Sequence, residues 1–169
     1  EIHNARTNRP SYIILKLNNL VDPEMIKKLY DASSEGVQIK LIIRGTCSLV
    51  AGVKGLSDNI EAISIVDKFL EHSRVFVFCN GGDEKYYISS ADWMTRNLDN
   101  RSEVAVPIYD KKIQQFLKNA IDLLWSDNTK ARVLGSKQNN EYRKTNGIVK
   151  IRAQEDMFHL FKTKKNKHS

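Results

Sequence analysis

At 169 residues the chain is long enough for one domain with a real core. Hydrophobic residues make up 41% and charged ones 28%, the ordinary mix of a globular protein, and no apolar run nears the roughly 18 residues of a membrane span. A net charge of +7 favours polyanionic partners as a class and selects no particular one. The two cysteines, Cys47 and Cys79, are too few for a disulfide framework and have no metal-site spacing, so they read as reduced thiols of a cytoplasmic protein. No signal-peptide pattern is visible, and a start at Glu1 without Met suggests a piece cut from a longer protein.

Residues 1–10 are polar without an apolar period and read as a linker or the tail of a preceding element. Residues 12–17 form a short β-rich run, a buried strand. Asp22-Pro23 opens a helix, with Asp as N-cap and Pro in the first helical position. Met25, Ile26, Leu29 and Tyr30 share one face of it, and Gly36 ends it. Residues 37–43 then alternate into a second strand. Strand, helix and strand in this order make a βαβ unit, so the two strands are expected to be parallel. Residues 45–55 follow as a glycine-punctuated loop carrying Lys54.

Residues 59–69 are ambiguous: Asp58 with Glu61 resembles a capping box, yet Ile60 to Val66 also suits a strand. Residues 75–79, 85–89 and 104–108 read as further strands, the first two joined as a hairpin across Asn80-Gly81-Gly82-Asp83. Residues 110–126 are the clearest helix, with Ile113, Phe116, Leu117, Ala120, Ile121, Leu124 and Trp125 on one stripe. A short strand over 129–134, a polar loop over 136–146 and a terminal helix over 153–162 complete the pattern. Lysines dominate residues 163–169, which read as a solvated basic tail.

The chemistry centres on Phe69-Leu70-Glu71-His72-Ser73-Arg74, where an imidazole stands two residues before a guanidinium and both lead into an apolar strand. Such side chains converge on a single anion, which suits phosphate. After the hairpin, Ser89-Ser90-Ala91-Asp92-Trp93 brings hydroxyls and a carboxylate back towards His72. Arg44 is the second candidate, because a buried strand ending in Arg-Gly sets a guanidinium at the sheet edge, where open α/β sheets bind ligands. A structural salt bridge is the rival reading for it. Lys16, Lys54, Lys85, Arg96 and Arg101 are further basic residues, for each of which a solvated or ion-paired role is the default. Trp93 and Met94 read as core.

The segment from Gly81 to Asp99, with residues 69–74, closely resembles the C-terminal region of bacterial polyphosphate kinases. Ile14-Leu15-Lys16-Leu17-Asn18-Asn19-Leu20-Val21-Asp22, Ile42-Ile43-Arg44-Gly45-Thr46-Cys47-Ser48-Leu49 and Glu103-Val104-Ala105-Val106-Pro107 fit as well. The resemblance runs from about residue 12 to about residue 154, with Ala51 standing where the family usually has proline. It favours the strand for residues 59–69. It also implies an α/β fold, a mixed sheet flanked by helices of the phospholipase D-like type, over residues 11–162.

The function that the resemblance implies is reversible transfer of the terminal phosphate of ATP to inorganic polyphosphate through a phosphohistidine. That histidine is expected in a preceding domain, so no nucleophile is assigned here and the chain alone is expected to be inactive. Arg44 and His72 match the positions that contact nucleotide phosphates. His72 is the candidate catalytic residue, and Lys54 and Arg74 are candidates for a phosphate channel. Magnesium is expected with ligands outside this chain. The implied partners are ATP or ADP, polyphosphate, upstream domains and further copies of the full-length protein, with no specific nucleic acid. The implied place is the cytoplasm, with peripheral membrane attachment open.

Two rival readings remain. The His72 pattern is similar to half of a phospholipase D-type site, which uses two histidines. This chain departs from it at Arg74, Cys79 and Ser89-Ser90-Ala91-Asp92, which weighs against ordinary diester hydrolysis, and of His3, His72, His159 and His168 only His72 has a catalytic context. A non-catalytic polyanion-binding module is the other.

Overall fold

The computed structural model describes residues 1–144 and 149–165. Its elements in chain order are α1 (Ile2–Arg6), β1 (Tyr12–Leu17), α2 (Pro23–Ser34), β2 (Gln38–Ile43), β3 (Ile60–Ile65), β4 (Val75–Phe78), β5 (Lys85–Ser89), α3 (Thr95–Leu98), β6 (Ala105–Ile108), α4 (Lys111–Trp125), β7 (Ala131–Val133) and α5 (Ala153–Lys165). The strands form one mixed sheet in the order β6-β5-β4-β1-β2-β3-β7. β1, β2 and β3 are parallel, and the flanking strands β4, β5, β6 and β7 join antiparallel. The βαβ unit is present as expected, and residues 60–65 are the strand that the family resemblance favours.

Side chains alternate across this sheet and build a core on each face. Ile13, Leu15 and Leu17 of β1, with Ile39, Leu41 and Ile43 of β2, pack under Leu29 and Ala32 of α2. On the other face Ile42, Ile63, Ile65, Val75 and Val77 meet Ile121 and Leu124 of α4 and Ala153 of α5. Leu15 and Leu17 are fully buried. Truncating either to Ala would cost about 2–5 kcal/mol.

Local chemistry explains the helix starts. The Asp22 carboxylate accepts from the Met25 N–H at 3.0 Å, with Pro23 in the first turn. The Asp110 carboxylate accepts from the Lys112 and Ile113 N–H groups. The α4 stripe differs from expectation at its first turn. Ile113 is exposed, while Gln114 is buried and its side-chain amide donates to the Ile108 carbonyl at 2.7 Å. That turn stands beside the end of β6, where a carbonyl needs a donor more than the core needs a methyl group.

Residues 1–10, read as a linker or tail, contain the helix α1, whose Ile2 and Ala5 pack against the core. The Asp58 carboxylate accepts from the Gly55 N–H at 2.6 Å, a turn rather than a helix cap. Trp93 is core as expected, 5.6 Å from the Phe76 ring. Cys47 and Cys79 are both free thiols. The polar loop over 136–146 lies partly outside the described residues, as does the end of the basic tail. No helix among the described residues is long and apolar enough to cross a membrane.

Candidate functional site

The topology gathers the candidate residues at one end of the sheet. β1 and β2 run parallel, so Asn18-Asn19 and Arg44 follow their carboxyl ends. β4 runs the other way and is preceded by His72 and Arg74 at that same end. β5 reverses again, ends at Ser89 and is followed by Ser90 and Asp92. This is the side of an α/β sheet where ligands bind.

Asn18 and Asn19 are the hub. The Asn18 carbonyl oxygen Oδ1 accepts from Arg44 Nε at 2.9 Å, and its Nδ2 donates to the His72 main-chain carbonyl at 3.4 Å. Asn19 Oδ1 accepts from the Thr46 N–H at 3.1 Å, and its Nδ2 donates to Asp92 Oδ2 at 3.0 Å. Gly45 is required at this point: a Cβ there would stand 2.8 Å from Asn19 Oδ1 and 2.9 Å from the Asn18 carbonyl. In the sequence these asparagines stand out only as part of a family motif. The available signal was an amide pair directly after a buried strand, at the ligand-binding end.

Asp92 is buried and fully engaged. It receives Arg74 through Nε at 3.0 Å and Nη2 at 3.1 Å, and the Asn18 N–H at 2.8 Å. Burial pushes its pKa up, but the Arg74, Asn19 and main-chain donors outweigh that and hold the carboxyl down at about 2. Arg74 therefore faces inward, with Nη1 on the His72 carbonyl at 3.3 Å and Nη2 3.4 Å from His72 Nε2.

Ser89 bonds within its own turn, and Ser90 reaches the residues just before β6. Ser89 Oγ accepts from the Ala91 N–H at 3.0 Å, and Ser90 Oγ donates to Glu103 and accepts from the Val104 N–H. The carboxylate thus returns to the His72 neighbourhood, while the serine hydroxyls are engaged within the connection from β5 to β6.

His72 is exposed, in the irregular segment before β4 rather than on the strand. Arg44 is half-buried, and among the described residues its two terminal nitrogens have no hydrogen-bond partner. Lys54 is exposed on the loop after β2 and makes no bond to this network among the described residues. Lys85 pairs with Asp83 on the surface. Lys16, expected to be solvated or ion-paired, is 2% exposed inside β1, lies 3.9 Å from the Glu71 carboxylate and donates to the Ser73 carbonyl at 2.9 Å.

No three His, Cys, Asp or Glu side chains among the described residues are grouped to hold a metal ion. The donor set also does not fit one, because Arg44, Arg74 and Lys16 dominate and the Asp92 carboxylate is occupied. What the edge suits is a polyanion: an unengaged guanidinium fork, an exposed imidazole and a glycine loop on a rigid base.

Residues 1–154 match the family described as polyphosphate kinase C-terminal domain 2. The chain belongs to that family. It is 51% identical over 163 residues to a polyphosphate kinase of Escherichia coli strain K12, which covers 96% of this chain and 24% of that protein. A polyphosphate kinase of Vibrio vulnificus is 51% identical over 154 residues, 91% of this chain and 22% of that protein. The crystal structure of polyphosphate kinase from Porphyromonas gingivalis superimposes with a TM-score of 0.94 at 40% identity, over 98% of this chain and 26% of that one. This polyphosphate kinase domain thus spans about a quarter of the length of the curated relatives it matches. Nuc from Salmonella typhimurium, a phospholipase D family member, shares the fold at a TM-score of 0.57 and 17% identity, over 80% of this chain and 89% of that one. The fold is therefore of the phospholipase D-like α/β type.

Proposed function

We propose that this chain is the phosphate-handling C-terminal domain of an ATP:polyphosphate phosphotransferase, working reversibly through a phosphohistidine on an upstream domain. The observation that carries the proposal is the Arg44–Asn18–His72 arrangement. One asparagine side chain orients a guanidinium and holds the backbone of an imidazole at the ligand-binding edge.

In this reading the terminal nitrogens of Arg44 hold phosphate oxygens and stabilise the charge that builds during transfer. His72 donates a hydrogen bond or proton to the bridging or leaving oxygen. Arg74 contributes mainly by pinning the His72 segment, and Lys54 is left to line the approach of the polymer. Magnesium, when bound with the nucleotide, would offset phosphate charge through ligands outside this chain. The two free thiols suit a reducing cytoplasm, and assembly of the full-length enzyme with itself belongs to the same reading.

The test is synthesis of polyphosphate from radiolabelled ATP and magnesium by the full-length enzyme, comparing wild type with Arg44→Ala and His72→Ala. Label is expected to enter a polymer, and each variant to lose roughly a hundredfold or more in rate while remaining folded. Equal synthesis by the variants would reduce both residues to structural roles. Cleavage of phosphodiesters in place of polymer formation would favour the phospholipase D-type reading. The chain by itself is expected to make no polymer in the same assay, and measurable synthesis by it would overturn the upstream phosphohistidine.

A further inference from the structure

His72 stands on an irregular segment, yet three consecutive main-chain carbonyls beneath it each meet a side-chain donor. The Glu71 carbonyl lies 3.4 Å from Lys16 Nζ and the Ser73 carbonyl 2.9 Å from the same atom. The His72 carbonyl between them faces Asn18 Nδ2 and Arg74 Nη1. The Glu71 carboxylate is a further 3.9 Å neighbour of the ammonium and also accepts from the Ser73 N–H at 3.2 Å. Lys16 is only 2% exposed and sits between Ile42 of β2 and Val75 of β4 in the strand register. A buried ammonium in an apolar strand is costly for the fold, so its presence calls for a use.

We propose that Lys16 is a positioning residue for His72: from inside the sheet its ammonium grips the carbonyls on either side of the histidine and fixes where the imidazole stands. The inference rests on the role proposed above for His72 in phosphate transfer. Lys16 touches no substrate in this scheme and acts through the 71–73 backbone.

The electrostatics give the device a pH dependence. The groups facing Lys16 are Glu71 from the segment before β4, Arg44 from the end of β2, Arg74 from the start of β4 and Asp92 from the loop after β5. Burial lowers the lysine from 10.5 to about 8, against the pull of Glu71 and Asp92 and with the help of Arg44 and Arg74. Above pH 8 the amine is neutral and its grip weakens. The stability effect has the opposite sign. Between pH 8 and 10.5 the unfolded chain holds the extra proton, so the Lys16 contribution to folding improves as pH rises. Activity is expected to fall over a range in which this residue makes the fold more stable, which a purely structural lysine would not produce.

The experiment measures kcat and the KM for ATP in the full-length enzyme from about pH 6.5 to about 9.5, for wild type, Lys16→Met, Lys16→Arg and His72→Ala. Wild type is expected to show an alkaline limb in kcat near pH 8. Lys16→Met should lose about tenfold in kcat at neutral pH with KM changed by less than about twofold, and should lack the limb. Lys16→Arg should recover part of the rate and carry it to higher pH, because its charge persists. A Lys16→Met enzyme within about twofold of wild type, or one that keeps the limb, overturns the inference. If His72→Ala still makes polymer, the reading of His72 fails and takes the inference with it. If His72→Ala is inactive while Lys16→Met is not, only the inference fails.

Should Lys16→Met not fold, hydrogen exchange of wild type decides. After correction for intrinsic rates, protection lost above pH 8 only at residues 69–74 supports the grip, and unchanged protection there overturns it.

Discussion

Arg44 and Arg74 arrive at the same edge of one sheet from the strands on either side of β1, and the structure treats them in opposite ways. The Arg74 side chain is 12% exposed and forks onto an Asp92 that is 5% exposed. The Arg44 side chain makes one bond among the described residues, from Nε to Asn18, and leaves its fork open. One guanidinium is thereby part of the floor and the other is open to a ligand. The difference lies in the carboxylate, not in the arginines. A buried ion pair with every oxygen engaged is fixed in place, whereas a guanidinium steered by a neutral amide keeps its charge for a ligand.

The strongest way to break this comparison is Asp92→Ala. It strands the Arg74 charge in a buried place and removes the acceptor of the Asn18 N–H and the Asn19 amide. Urea unfolding should show a loss of about 3–5 kcal/mol. Arg44→Ala should cost less than about 1 kcal/mol in the same experiment, since a single bond of a half-buried group is given up. The order should reverse in activity per folded molecule, with Arg44→Ala the more damaging single change at the anion. If the two variants unfold at the same urea concentration, the division into floor and site is wrong.

Acid titration sharpens the same point with a smaller effect. The Asp92 carboxyl sits at about 2 in the fold against 3.8 for an ordinary aspartate. Its contribution is therefore fully present above about pH 4 and is lost as pH falls towards 2, amounting to about 2 kcal/mol. Denaturant midpoints between those values should fall steeply in wild type and lose this part of the slope in Asp92→Asn. A slope that survives the substitution would assign the acid sensitivity to other carboxylates, among them the Asp67 partner of Arg152.

Much of this was legible from the chain. The apolar runs of β1, β2 and β4 are short, β-rich and bounded by turn residues, and Asp22-Pro23 and Asp110 mark their helices. Arg44 and His72 were readable as candidates for phosphate because their types suit an anion and their places fall at strand ends, and for Arg44 the family resemblance tipped that reading over a structural salt bridge. The helix α1 was not readable, since five residues hold no apolar period. It is fixed by contacts, including the Glu1 carboxylate on the Asn80 and Tyr12 N–H groups. The hub at Asn18-Asn19 and the burial of Lys16 were hidden for the same reason. Their meaning depends on Glu71, Ser73 and Asp92, more than fifty residues away in sequence. A lysine between Leu15 and Leu17 was the one local sign that the strand holds a charge on purpose.

The smallest effect probes the opposite side of the His72 segment. Where Lys16 holds it from within the sheet, α5 holds it from outside. Gln154 is buried, accepts from the Phe69 N–H at 2.7 Å and donates to the Phe69 carbonyl at 2.8 Å. Arg152 forks onto Asp67 at 2.9 and 2.7 Å two residues earlier in that segment. Phe69 itself is half exposed, so water can replace the amide when Gln154 is truncated. Gln154→Ala should therefore cost only about 1 kcal/mol in unfolding. Its signature should be local: faster hydrogen exchange at the Phe69 amide, with β1 and β2 amides unchanged. A uniform rise in exchange across the sheet would mean that α5 supports the whole fold, and that the His72 segment is held by Lys16, Asn18 and Arg74 without help from the helix.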